Sequence, residues 1–294
     1  MNSVLFFTQN RWAFGQIHHG LIKRLWEHRI YSNLLDWTQT YTDTEFLYLK
    51  KRYRLFCTTP EAVSALVHKG IPLSQIVAVA HCERDLVLAV ADSGVGFFNH
   101  LHGFGVVNPH LATVAMGLGI SRVPTDVRVG IDVEHYRMEL PDRLLTVGYA
   151  GESTALLSDG KDCKRSHLVH AAVKDLGITL KVHEYYNHLA MPGYYETLDA
   201  LLVSSSYETA GMPGMEAAAA GRLVISTGVG YFDGAHGVLC RTDEEGFVAD
   251  ARSALITFSS ARRAFRSACI NARRVAREQY DWAHCINDWV DLFE

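Results

Sequence analysis

An α/β protein built of two Rossmann-like domains is predicted by three features of the sequence. Short apolar runs at residues 4–8, 76–80, 144–150, 201–203 and 223–227 are too brief for helices and end in polar or glycine-bearing loops, as buried parallel strands do. Longer amphipathic stretches lie between them, so strand and helix alternate along the chain. At 294 residues the chain is long enough for two domains of typical size.

Composition narrows the class further. Hydrophobic residues make up 48% and charged residues 20%, an ordinary globular balance, and seven prolines with no low-complexity run leave little room for disorder. The apolar start is too short and lacks the basic leader of a signal peptide, and no run approaches the ~20 apolar residues of a membrane span, so a cytoplasmic location is expected. The six cysteines are scattered without a C-x-x-C pair, which argues for reduced thiols and against a zinc site or a disulfide framework. Residues 1–134 carry twelve Lys and Arg against eleven Asp and Glu, and the rest 16 against 21, so the basic excess of a duplex-binding surface is missing.

In the first domain the strand at residues 4–8 feeds a loop at 9–15, which holds Arg11 and Gly15, and then a helix at 16–29 with Ile17, Leu21, Leu25 and Trp26 facing inward. In a doubly wound domain this first loop faces the ligand crevice. Strands follow at 33–37 and 55–59, and Pro60 opens the next helix. The strand at 76–80 ends in His81, whose neutral imidazole would face the crevice and could hydrogen-bond a sugar hydroxyl or a phosphate oxygen. Asn99, His100 and His102 are weaker candidates, because histidines without acidic or cysteine ligands at defined spacing rarely bind metal. No metal is expected. A helix at 112–117 and an apolar strand in the run at 127–136 complete the domain.

The second domain opens with a strand that closes on Gly151, followed by a basic turn, Lys161, Lys164 and Arg165, before a helix at 166–176. After a strand at 178–182, the strand at 201–203 leads through Ser204, Ser205 and Ser206 into a loop with Glu208, Gly211, Pro213 and Gly214. The run 215–220 favours helix strongly and stops at Gly221, and the strand at 223–227 follows. Unpaired amides at that helix start suit a phosphate, while two carboxylates beside it, Glu208 and Glu216, suit sugar hydroxyls. A phosphate between two polyols describes a nucleotide-sugar. Helices at 243–258 and 261–279 are rich in arginine, which could meet anionic lipid, although a solvated helix face explains them better. Trp282, Ile286, Trp289, Val290 and Phe293 have helical apolar spacing at the end of the chain.

The spacing Glu-x7-Glu, with the serine-ended strand before it and Glu216-Ala217-Ala218, Gly221 and the next strand after it, resembles the signature of the retaining glycosyltransferases of family 4. That resemblance implies the GT-B fold, two Rossmann-like domains facing a cleft, with a donor nucleotide-sugar held by the second and an acceptor by the first. It implies Glu208 near the transferred sugar, backbone of Ala210, Gly211 and Met212 on the diphosphate, and Glu216 on the ribose. It sets His81 in the site, and it matches the 127–136 run to a hinge, which gives domains at 1–134 and 135–280 and a returning helix at 281–294. Two departures stand out. The first loop keeps Gly15 but lacks the family's glycine-rich run, leaving Arg11 to supply charge, and Glu152 stands where the family has arginine after the glycine. Lys164, with Arg165 second, is therefore assigned to the diphosphate, where a cation meets growing leaving-group charge.

The implied activity moves a sugar, with retention, from a nucleotide-diphosphate sugar to a glycan, lipid-linked or small-molecule acceptor, without a cofactor. Two rivals remain: a nucleotide-sugar epimerase on the same architecture, and a donor-binding protein without turnover. Peripheral contact with the inner membrane face stays open, as does a modified DNA base as acceptor, although the charge balance opposes the latter.

Overall fold

The computed structural model describes residues 2–9, 12–152, 160–183 and 189–294, with the side chains of 12–16 left aside. The chain forms two compact units, one of Met1–Gly130 with Trp282–Glu294, the other of Ile131–Asp281.

The first unit runs β1 (Ser3–Thr8), α1 (Trp12–Glu27), β2 (Tyr31–Asp36), α2 (Asp43–Arg52), β3 (Leu55–Thr58), a 3-10 turn (Pro60–Ala62) leading into α3 (Val63–His68), β4 (Ile76–Ala80), α4 (Glu83–Ser93), β5 (Gly103–Val106), α5 (Pro109–Gly117) and β6 (Thr125–Asp126). Among the described residues its sheet has the order β2-β1-β3-β4-β5-β6 and every pairing is parallel. Its strands read as continuous apolar runs because helices cover both faces; β1, β3, β4 and β5 are buried at every position.

The second unit runs β7 (Thr146–Ala150), α6 (Ser166–Val173), β8 (Thr179–His183), α7 (Met191–Glu196), β9 (Ala200–Val203), α8 (Met212–Ala219), β10 (Leu223–Thr227), β11 (Gly237–Cys240), α9 (Glu244–Ser260) and α10 (Arg262–Gln279). Its sheet, again parallel among the described residues, has the order β11-β10-β9-β7-β8. The core packs Val147, Leu202, Ile225, Phe247 and Phe265 between the sheet and α6, α9 and α10.

The last helix, α11 (Trp282–Phe293), belongs to the first unit. Trp282, Trp289 and Phe293 are almost fully buried, and Phe293 meets Phe6 of β1 edge-on at 5.9 Å. Gly103 and Gly105 of β5 make room for it: a Cβ on either would stand 3.0 Å from Leu292. Gly20 of α1 and Gly130 similarly clear space for the Trp282 ring.

Three local expectations are corrected. The loop expected at 9–15 is shorter, because α1 begins at Trp12 and takes Gly15 into the helix, while Arg11 lies outside the described residues. Trp26 does not face inward: it is 58% exposed, stacks on Tyr31 and donates its indole N–H to Ser32 O at 3.0 Å. Ile17, Leu21 and Leu25 already form the buried stripe, and the next residue is turned about 100° away from it. The apolar run after Asp126 is not a strand, although Val127, Val129, Ile131 and Val133 alternate inward as strand residues do. Its backbone leaves the sheet and is taken up by the end of the chain, with Trp289 Nε1 donating to Arg128 O at 2.8 Å and Ile131 N to Tyr280 O at 2.7 Å.

Candidate donor site

In the second unit the chain goes from β7 outward to β8 on one side, then from β9 outward to β10 and β11 on the other. The order therefore reverses between β7 and β9, and a ligand crevice of an open α/β sheet lies at the carboxyl ends of such strands. The loops that leave β7 and β9 there carry the polar side chains singled out above.

Glu208 is the centre of a small charged cluster. Lys164 Nζ pairs closely with its Oε1, and Ser205 Oγ donates to the same oxygen at 2.7 Å. The two charged side chains are 22% and 16% exposed, so solvent screens them less than a surface pair. Burial alone would push the Lys164 ammonium down, but the charge and hydrogen bond of Glu208 outweigh it and hold the ammonium above its ordinary value. Tyr149, at the end of β7, is pushed up by burial and then by the Glu208 charge, so its phenol stays neutral, donating to Glu152 O at 2.8 Å.

Backbone geometry aims Lys164. Asp162 accepts the amides of Lys164 and Arg165 at 2.9 and 3.1 Å, and Arg165 takes the left-handed conformation (φ 50°, ψ 43°) at the start of α6. That conformation costs a side-chain-bearing residue roughly 1–2 kcal/mol. The Arg165 guanidinium offsets it by donating to Ser204 O at 2.8 Å and Thr242 O at 2.6 Å, while Ser204 Oγ reaches back to the carbonyls of Lys164 and Arg165 at 2.8 and 3.0 Å. Arg165 thus bolts the β9 loop to the start of α6, and its buried Nη2 has no partner among the described residues. Of the two cations, Lys164 is the one whose head group reaches the Glu208 cluster.

α8 begins at Gly211, whose left-handed φ of 75° suits glycine, and no side chain caps the helix. Gly214 N and Met215 N both turn back to Gly211 O, at 2.9 and 3.3 Å. Ala210 and Met212 are buried on either side, and a cavity of about 10 Å³, room for roughly one water, lies among Ala210, Gly211, Gly214, Val229, Phe232 and His236.

Glu216 lies one turn into α8, fully buried, with Tyr195 Oη of α7 at 2.9 Å from its Oε2. Glu216→Ala would leave the Tyr195 hydroxyl without this acceptor, so a stability loss of about 1–3 kcal/mol is expected along with weaker nucleotide binding. Thermal unfolding and calorimetry with free nucleoside diphosphate separate the two effects: a lowered melting temperature with unchanged affinity would make Glu216 a purely structural residue.

His81 lies in the first unit, at the end of β4. It is buried, its amide donates to Asp85 Oδ2 at 2.7 Å, and its ring stands 6.1 Å from His18 and 6.4 Å from Trp289. Burial, then the neighbouring His18, pushes it down to about 3, so the imidazole is neutral near pH 7. Among the described residues no group of three or more His, Cys, Asp and Glu is placed to hold a metal, and no helix is long and apolar enough to cross a membrane. The sequence marks Ser205 only as part of a serine run at a strand end, and it carries no local signal for Asp162, Tyr149 or Tyr195 as site residues.

The fold defines a class of architecture, GT-B: two Rossmann-like units with parallel sheets. Residues 142–257, which include Lys164, Glu208 and Glu216, match a family model described as Glycosyl transferases group 1. No curated protein sequence matches the chain. Among solved structures, the catalytic domain of starch synthase IV from Arabidopsis thaliana, bound to ADP and acarbose, superposes with a TM-score of 0.71 at 12% identity over 100% of this chain and 98% of that one. An alpha-glucosyltransferase in complex with UDP and a 13-mer DNA containing a HMU base gives 0.70 at 7% identity over 100% of both chains. A mutant of TarM from S. aureus, in complex with fondaparinux, alpha-GlcNAc-glycerol and UDP, gives 0.63 at 14% identity over 85% of this chain. The chain spans 58% of the length of that TarM chain. At such identities the likeness establishes the fold: two Rossmann-like units with parallel sheets.

Proposed function

We propose that the chain transfers a sugar from a nucleotide-diphosphate sugar to an acceptor hydroxyl, with retention of anomeric configuration. The observation that carries this reading is the Lys164–Glu208–Ser205 cluster at the carboxyl ends of β7 and β9, next to the uncapped start of α8. A diphosphate seated there meets the positive end of a helix and a partly buried ammonium. Lys164 stabilises the departing diphosphate, and Glu208 is positioned for the hydroxyls of the transferred sugar. Glu208 is also a poor nucleophile, since one oxygen already holds both Lys164 and Ser205. That favours departure of the diphosphate followed by attack of the acceptor on the same face, with retention.

Support for the donor class comes from the relatives that hold UDP or ADP beside a sugar or a glycan. The acceptor is a glycan, lipid-linked or small-molecule hydroxyl, held by groups of the first unit with His81 among them, and neither cofactor nor metal enters the reaction. The six cysteines, scattered without a C-x-x-C pair and five of them buried, fit a cytoplasmic setting. Membrane contact gains nothing from α10: Arg262 and Arg266 pair with Asp142, Arg273 donates to Met138 O and Ala220 O, Arg274 pairs with Glu278, and Arg277 with Glu134.

Mass spectrometry of products from UDP-, GDP- and ADP-sugars mixed with glycan, glycerol-type, lipid-linked and HMU-containing DNA acceptors tests the proposal. One donor should add one sugar to one acceptor class. A donor recovered as its epimer would favour the epimerase, and a donor bound but unchanged throughout would favour a binding protein.

A further inference from the structure

Beyond the loop that carries Glu208, a second loop presses on the start of α8. It follows β10 and includes Val229, Gly230, Tyr231 and Phe232. Tyr231 N donates to Ala210 O at 3.1 Å, and Gly230, at a left-handed φ of 61°, approaches so closely that a Cβ there would stand 2.5 Å from Ala210 O and 2.8 Å from Gly211 N. The position of this loop therefore sets the backbone of Ala210 and Gly211.

A phenol holds the loop down. Tyr280 is buried, its hydroxyl lies 3.0 Å from Tyr231 O and 3.2 Å from His236 Nδ1, and its ring stacks on that of Tyr231 at 6.4 Å. A phenol has one proton to give. If it goes to the Tyr231 carbonyl, His236 Nδ1 must carry a hydrogen and donate to the phenol oxygen. Burial pushes His236 down to about 4, so the ring is neutral near pH 7 and this single-proton form is available. Phe232 fixes the ring edge-on at 4.5 Å, and His236 and Phe232 both line the cavity under Gly211. The Tyr280 backbone is itself tied, since its carbonyl accepts Ile131 N at 2.7 Å and the next residue, Asp281, bridges to Ile131. Ile131 and Asp281 are the two ends of the second unit.

We propose that Tyr280, braced by His236, is a positioning residue of the donor site: its hydroxyl clamps the Tyr231 loop onto Ala210–Gly211 and so presets the backbone amides that receive the donor diphosphate. The inference rests on the donor-site reading above. It goes beyond that reading by assigning the setting of the phosphate amides to a residue outside the loop that presents them, anchored where the chain enters and leaves the unit.

The test is Tyr280→Phe, which removes the hydroxyl and keeps the stacked ring, with His236→Gln as a second variant that retains a neutral donor. Calorimetry measures binding of UDP, GDP and ADP and of the matching nucleosides to wild type and variants, with circular dichroism as the control for folding. For the diphosphate that wild type binds, Tyr280→Phe should weaken affinity about fivefold to tenfold, the size of one lost hydrogen bond, and leave the nucleoside unchanged. His236→Gln should recover most of the wild-type affinity. A merely structural role would weaken both ligands together or neither, and either result overturns the inference while the donor site stands. If wild type binds no nucleoside diphosphate, the donor-site reading falls, and this inference with it.

Discussion

Lys164→Ala is expected to lower turnover by about a hundredfold or more and to raise the apparent Michaelis constant for the donor far less. The charge that Lys164 meets grows as the diphosphate departs, so its loss falls mainly on the transition state, and removing one such donor costs about 10²–10³ in rate. A second effect points the same way. Without the ammonium, Glu208 keeps Ser205 on the oxygen that Lys164 had paired, and its charge then opposes the donor phosphates instead of being neutralised. Arg165→Ala should behave differently, because its guanidinium grips Ser204 O and Thr242 O: it should lower the melting temperature first and turnover only as the β9 loop loosens. Steady-state kinetics with thermal unfolding of both variants checks this. A larger turnover loss in a fully stable Arg165→Ala would assign the diphosphate to the wrong cation.

Truncation after Tyr280 is expected to abolish transfer while retaining some nucleotide binding, since the cut also removes Asp281 and its bridge to Ile131. The cut removes α11, whose Trp282, Trp289 and Phe293 are almost fully buried in the first unit. Loss of one large buried aromatic costs about 3–5 kcal/mol, so three together, about 9–15 kcal/mol, are comparable to the whole ~5–15 kcal/mol of a typical domain. The first unit should then expose apolar surface and lose cooperative folding, and with it the setting of His81 against Trp289. The five-stranded sheet of the second unit keeps its own core. Calorimetry with the nucleoside diphosphate and limited proteolysis read the two halves separately. A soluble, truncated protein with full transfer would show that α11 is dispensable.

Much of the fold is legible in the sequence because strands buried on both faces write themselves as short apolar runs; residues 76–80 and 223–227 form strands with those limits. Where burial pattern and hydrogen-bond partner part company, reading fails. The run after Asp126 alternates like a strand, yet its partners are the end of the chain, more than 140 residues on, which no local pattern reveals. Trp26 reads as core by type but lies off the stripe set by Ile17, Leu21 and Leu25. In the site, Lys164 and Glu208 each attract notice alone, through a basic turn and a carboxylate before glycines. Their pairing, and the contact between Glu216 and Tyr195, are tertiary facts that span 44 and 21 residues. Tyr280 carries no signal at all, because its work depends on a carbonyl 49 residues away.

The central claim is that the loop between Glu208 and α8 holds a nucleotide-diphosphate sugar for transfer. It is tested most directly by measuring nucleoside diphosphate release from the bound donor, with and without acceptor, in wild type and Lys164→Ala. Release should be slow alone, accelerate with acceptor in step with formation of a retained glycosidic product, and fall about a hundredfold in the variant. Release that ignores the acceptor, or that the variant leaves unchanged, would contradict it.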